Sequence, residues 1–170
     1  VFAVWSAAED DARKQQSLMD ILNYIRVGLK PSIGAVTAHL IKNIQPEDII
    51  VALMMDITSG GDSDLSLFKK QTADTSSQVL RYPGRILPFF AVNPLRTGYF
   101  ELMEEALTSK GFIGVKLYPS LGYDIQSPEI LKVFDYCYRR DFPLLMHCSQ
   151  GGFYADKDFI KNSDPRLWEE

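Results

Sequence analysis

Four short apolar runs, each separated from the next by a longer amphipathic stretch, constrain the fold of this 170-residue chain more than any other feature. The runs are 49–55, 86–92, 112–117 and 143–147. They contain little polar alternation, which is typical of strands buried on both faces of a sheet. Strands that alternate with helices predict an α/β fold in which the four strands are parallel and adjacent in this order, with right-handed crossovers and the helices outside.

The stretches between the runs have apolar residues at helical spacing. Predicted helices cover most of 1–28 and then 32–43, 65–81, 99–109 and 127–140. Ser127 is a suitable N-cap for the last of these helices, and Pro128 fits its first position. We therefore expect a single domain over 1–170.

Two architectures fit four such strand–helix units: an open, doubly wound sheet, or part of a (β/α)8 barrel. A complete barrel needs about 250 residues, so we expect this chain to be too short to close one alone. Both folds bind ligands at the C-terminal ends of their strands, so polar residues at strand ends do not distinguish one fold from the other.

Composition and charge exclude several classes of partner. The net charge of −4 gives no electrostatic reason to expect nucleic acid. No apolar run approaches the roughly 18 residues that span a bilayer, and residues 1–8 lack the basic start of a signal peptide. The two cysteines, Cys137 and Cys148, form no CxxC pair. We therefore expect free thiols in a cytoplasmic protein. We expect it to act on a small molecule and to have no membrane partner, and whether it forms a homo-oligomer stays open.

Polar residues end every predicted strand, at the rim where parallel α/β folds build their sites. They are Asp56, Asn93, Lys116 with Tyr118, and His147. An acid such as Asp56 is most simply a helix N-cap, whereas Asn93 and Tyr118 are candidate substrate contacts.

His147 and Lys116 are the two residues of this rim with the clearest chemical potential. His147 either caps its strand through a loop hydrogen bond or acts as a metal ligand or general base. Lys116 lies among apolar residues, where an unpaired ammonium is costly to bury. Four roles for it stay open. It pairs with a rim carboxylate or extends its ammonium to solvent, or it contacts a substrate anion or is carboxylated to become a metal ligand. His39, in a predicted helix, fits a packed or surface position better than a ligand.

Two common catalytic signatures are absent. The sequence has no glycine-rich phosphate loop of the dinucleotide-binding or P-loop type. It has no Gly-x-Ser-x-Gly elbow, which disfavours a serine hydrolase.

Three segments of the sequence stand out together: the strand Gly111-Phe112-Ile113-Gly114-Val115-Lys116-Leu117-Tyr118-Pro119, the strand Pro143-Leu144-Leu145-Met146-His147-Cys148-Ser149, and Arg85 to Pro94. These segments resemble the amidohydrolase-related family of metal-dependent hydrolases. The closing Asp164-Pro165-Arg166-Leu167-Trp168 is similar to the family as well. The resemblance covers roughly 45–170 and implies strands two to five of a TIM (β/α)8 barrel.

The resemblance implies a divalent metal, usually zinc, whose bound water attacks an amide, ester or related bond. His147 matches the family's fifth-strand metal ligand, and Lys116 matches a fourth-strand position that some superfamily members carboxylate. The His-x-His pair of the first strand and the later histidine and aspartate are absent. A catalytic zinc needs about three protein ligands, so we expect this chain to be an inactive fragment of an active parent. A metal-dependent decarboxylase and a non-catalytic α/β binding domain are the alternatives.

Overall fold

The computed structural model describes residues 22–23, 25–58, 64–149 and 152–168. The strands are β1 (Ile50–Leu53), β2 (Ile86–Val92), β3 (Gly114–Leu117) and β4 (Leu144–Met146). All neighbouring strands pair in parallel, and they form one sheet in the order β1-β2-β3-β4. The predicted α/β class and the predicted strand order are confirmed.

Helices alternate with these strands, as the apolar spacing predicts. They are α1 (Ile33–Lys42), α2 (Leu65–Arg81), α3 (Tyr99–Ser109) and α4 (Pro128–Arg139). Short 3₁₀ helices lie at Pro119–Leu121, Lys157–Ser163 and Pro165–Leu167. Most of the predicted helix over 1–28 lies outside the described residues, but 22–23 and 25–28 are helical.

The beginning of α4 shows how local sequence sets an element boundary. Ser127 is the N-cap, and its hydroxyl accepts a hydrogen bond from the Ile130 N–H at 3.4 Å. Pro128 occupies the first turn, where its missing N–H costs nothing. Both assignments agree with the sequence prediction.

The core lies between one face of the sheet and the helices. Phe90 of β2 is 1% exposed and makes edge-to-face contacts with Phe68 of α2 and with Phe112, at centroid distances of 5.5 and 5.7 Å. Val115 and Leu117 of β3 are fully buried in the same cluster. When parallel strands lie side by side in sequence order with right-handed crossovers, the connecting helices lie on one face of the sheet. The four strands here lie in that order, β1-β2-β3-β4.

The opposite face of the sheet is apolar and only partly covered by described residues. Strand alternation and the register Ala91↔Lys116↔Leu145 place these three side chains on it. Val51 of β1, on the same face, is 46% exposed, and Leu145 is 37% exposed. The sheet is curled, like half of a barrel.

Candidate functional site

A cavity of about 410 Å³ opens at the C-terminal ends of β1, β3 and β4. Its lining residues are Leu53, Met55, Lys116, Tyr118, Leu145, Met146, His147, Cys148 and Ser149. We call this cavity the rim pocket. It brings together three of the five strand-end residues singled out in the sequence, namely Lys116, Tyr118 and His147. Its walls are otherwise mostly apolar, so it suits a ligand with an apolar body and few polar groups.

Lys116 is the only lysine or arginine among the residues that line the rim pocket. The residue is 8% exposed, and burial lowers its pKa below the ordinary lysine value, while nearby Cys148 acts in the opposite direction. Its Nζ lies 5.6 Å from the centre of the Tyr118 ring. Among the ion pairs of the described residues, none involves Lys116. The predicted pairing with a rim carboxylate is therefore not found in the described part of the chain.

His147 follows β4, and its position is set by the sheet itself. The His147 N–H donates to the Leu117 carbonyl at 3.0 Å, which continues the β3–β4 pairing by one residue. Its imidazole stacks on the Tyr118 ring with a centroid distance of 3.9 Å and an interplanar angle of 8°. Neighbouring parallel strands thus place the two rings face to face at the pocket.

Asp56 does not cap a helix; it forms a buried ion pair with Arg96, a residue that sequence reasoning missed. Arg96 Nε and Nη2 lie 2.6 and 2.7 Å from the two Asp56 carboxylate oxygens, and Nη2 lies 2.9 Å from Asp64. The hydrogen bond to Asp56 is the main cause that raises the pKa of Arg96, against the effect of burial. The guanidinium also lies over Phe68, 4.4 Å from the ring centre. The pair joins the segment after β1 to the segment after β2.

Asn93 lies beside this ion pair and does not line the rim pocket. Its Nδ2 donates to the carbonyls of Asp56 and Thr58, and its Oδ1 accepts from the Leu95 N–H. The side chain is 1% exposed and its amide is fully used by backbone groups. A substrate contact at Asn93 stays a prediction, and this arrangement gives it no support.

The described residues do not by themselves form a metal site. No group of three or more His, Cys, Asp or Glu side chains among them could hold a metal ion. At the rim pocket His147 is the one imidazole, and a catalytic zinc needs about three protein ligands. His39, the other histidine, lies in α1 with its Nδ1 3.5 Å from Asn43 Nδ2, in agreement with the predicted structural role. We therefore derive no catalytic step through a metal.

Comparison with known proteins adds no identification. No protein-family model, curated protein or solved structure matches this chain. Within the described residues, no helix is both long enough and apolar enough to cross a bilayer. The fold and the site define the class as a parallel α/β domain with an apolar pocket at its C-terminal rim. The similarity to the amidohydrolase-related family stays a prediction from sequence.

Proposed function

We propose that this chain forms the substrate-binding part of a metal-dependent hydrolase of the amidohydrolase-related type. The observation that carries the proposal is the position of Lys116 and His147, which lie on adjacent strands and line one rim pocket. Active sites of (β/α)8 barrels lie at this rim. The two residues are also those that match the family motifs in the sequence.

The barrel itself is part of the proposal. Four parallel strands in consecutive order, helices on one face and a curled sheet are what half of a barrel requires. The partly exposed apolar face that includes Val51 and Leu145 would then become the barrel interior. Further strands, outside the four described, would cover it.

Lys116 is proposed to bind an anionic group of the substrate in its unmodified form. A buried ammonium without a carboxylate partner among the described residues is unfavourable, and a substrate carboxylate would supply that partner. The apolar walls provided by Leu53, Met55 and Leu145 would hold the rest of the molecule. The proposed substrate is thus a small apolar molecule with one carboxylate close to its reacting group.

His147 is proposed as one metal ligand, with the remaining ligands outside the described residues. One competing function requires no metal. In that alternative the domain binds small carboxylates at Lys116 and catalyses no reaction. A decarboxylase of the same family would use the same Lys116 contact.

Carboxylate binding is tested first, because it requires no metal. Benzoate and the uncharged benzamide are titrated into the full chain by calorimetry or by NMR. Benzoate should bind more tightly than benzamide, and Lys116→Met should weaken benzoate about ten- to a hundredfold, as expected for a lost charged hydrogen bond. Lys132→Met is the matched control, since Lys132 also lies over an aromatic ring, that of Phe100, but away from the pocket. Equal binding of both probes would reject the assignment of Lys116.

Metal content separates the hydrolase from the binding domain. Zinc is measured in the purified parent protein, which would supply the remaining ligands, and in its His147→Ala variant, with His39→Ala as the matched control. Loss of zinc in His147→Ala alone would support the hydrolase. If benzoate binds and the zinc content is the same with and without either histidine, the non-catalytic binding domain remains as the function.

A further inference from the structure

The stack of Tyr118 on His147 is a close, nearly parallel overlap of two rings at the rim pocket. The centroid distance is 3.9 Å and the interplanar angle is 8°, so the two rings lie face to face in close contact. Such a stack sets the plane of one ring wherever the other ring is held by further contacts.

Tyr118 is held in place by contacts of its own. Its hydroxyl accepts a hydrogen bond from the Phe153 N–H at 3.1 Å, and its backbone N–H donates to the Tyr123 hydroxyl at 2.5 Å. The Tyr123 hydroxyl in turn donates to the Val92 carbonyl at 3.3 Å. Tyr118 is thereby fixed at both ends, and it is only 9% exposed.

Gly152 is the residue that lets the segment carrying Phe153 approach these two rings. Its φ of +98° lies in the region that favours glycine. A Cβ at this position would overlap the Tyr118 hydroxyl and would lie 3.4 Å from both Cε1 and Nε2 of His147. A side chain there would displace Tyr118 and would also crowd the Nε2 edge of the imidazole.

We infer that Tyr118 is a positioning residue that fixes the plane of the His147 imidazole, and that glycine at position 152 is required because a side chain there would displace Tyr118 and press on the imidazole beside Nε2. The inference rests on the proposed role of His147 at the rim pocket. Tyr118 acts here through His147, whatever reaction the imidazole serves. A histidine with a fixed ring plane presents its nitrogens in one direction, which a reactive site requires.

The first experiment observes the stack directly, with no metal or substrate present. The full chain is labelled at histidine, and the ring-proton resonances are recorded by NMR, with His39 as an internal reference. Ring-current shielding by Tyr118 should move the His147 resonances upfield. This shift should persist in Tyr118→Phe and disappear in Tyr118→Leu. Tyr136→Leu is the matched control because Tyr136 stacks on Phe142, on a different element pair.

The second experiment uses the overlap that a Cβ added at position 152 would have with the Tyr118 hydroxyl. Gly152→Ala should weaken the His147 ring-current shift, and Gly152→Ala combined with Tyr118→Phe should restore it, because the overlapping oxygen is gone. The backbone strain at position 152 is the same in both variants and cancels in the comparison. Modification of His147 by diethyl pyrocarbonate should be slower in both alanine variants, since the added methyl lies near Nε2.

Two results would overturn the inference. One is a His147 shift that is unchanged in Tyr118→Leu or in Gly152→Ala, and the other is a shift that Tyr136→Leu removes equally. Because Gly152→Ala and Tyr118→Phe keep an aromatic ring at position 118, the test stands even where Tyr118→Leu does not fold. Failure of benzoate to bind, with the ring-current results as expected, would reject the proposed function and leave the positioning role intact.

Discussion

At the scale of single residues, the Arg96–Asp56 ion pair is a buried, bidentate contact beside the rim. The two side chains are 1% and 3% exposed, and both guanidinium contacts are shorter than 2.8 Å. Asp64, the second partner, is 37% exposed. Water therefore screens the Arg96–Asp64 contact far more than the Arg96–Asp56 contact.

Arg96→Met should lower the free energy of unfolding by about 3–5 kcal/mol, because it leaves the Asp56 carboxylate buried without its partner. Asp64→Asn, the matched control, should cost about 1 kcal/mol or less. Urea unfolding measures both values. A double variant, Arg96→Met with Asp56→Leu, should recover much of the loss, since no buried charge then remains. Equal costs for Arg96→Met and Asp64→Asn would contradict the assignment.

Lys116 should make stability depend on alkaline pH. Its folded-state pKa lies below the 10.5 of a solvated lysine, because burial disfavours the charged form. Between these two values the unfolded chain binds a proton that the folded chain does not, so the free energy of unfolding rises with pH in this window. At lower pH both states are protonated, and the full cost of burying the charge remains.

Lys116→Met should remove this rise, and Lys132→Met should keep it. Urea unfolding at a series of pH values up to 10.5 provides the measurement. A wild-type protein whose stability follows the same pH curve as Lys116→Met would show that the Lys116 charge is solvated.

The residues of the site differ in how far sequence could predict them. Lys116 lies near the end of one apolar run and His147 ends the next, so strand topology alone brings them to one rim. Arg96 and Asp56 are 40 residues apart, and no local pattern signals their pairing. Asn93 shows the same limit: its strand-end position follows from the pattern, but the long-range backbone contacts of its amide with Asp56 and Thr58 do not.

At the scale of elements, Gly114 shows why β2 and β3 can pair as they do. It stands opposite Phe89 in the register, and a Cβ at position 114 would lie 2.5 Å from the Phe89 ring and 2.6 Å from the Pro143 carbonyl oxygen. The Phe89 ring occupies the space that a side chain on β3 would need. The sequence pattern predicted the strand β3. It could not predict this close contact, which depends on the residues that lie opposite Gly114 on the neighbouring strands.

Gly114→Ala should destabilise the protein by about 1–3 kcal/mol through overpacking. Adding Phe89→Leu should recover part of this loss, although the contact with the Pro143 carbonyl remains. Gly34→Ala in α1 is the matched control, because the Cβ there would meet only the flexible Gln78 side chain at 3.5 Å. Its stability should stay the same or rise, as alanine favours a helix. Thermal or urea unfolding of the three variants decides the matter, and a tolerated Gly114→Ala would contradict this packing.

At the scale of the whole molecule, the sheet faces two different environments. On one face α2, α3 and α4 bury Phe90, Val115 and Leu117. On the other, Val51 is 46% exposed within the described residues, although it lies in a parallel strand of the kind usually covered on both sides. Periodicity predicted helices on the outside of the sheet, but it could not reveal what covers the inside, because an open sheet and a barrel share the same alternation.

Val51→Asp tests whether further strands cover that inner face in the protein as it occurs. Inside a closed barrel the new carboxylate would be buried, and the free energy of unfolding should fall by several kcal/mol. On an open face the loss should be about 1 kcal/mol, the range of strand propensities. Leu131→Asp, on α4 and 51% exposed, is the matched control that should be tolerated in either case. Equal tolerance at both positions would argue against a barrel, because it would mean that Val51 faces water in the protein as it occurs.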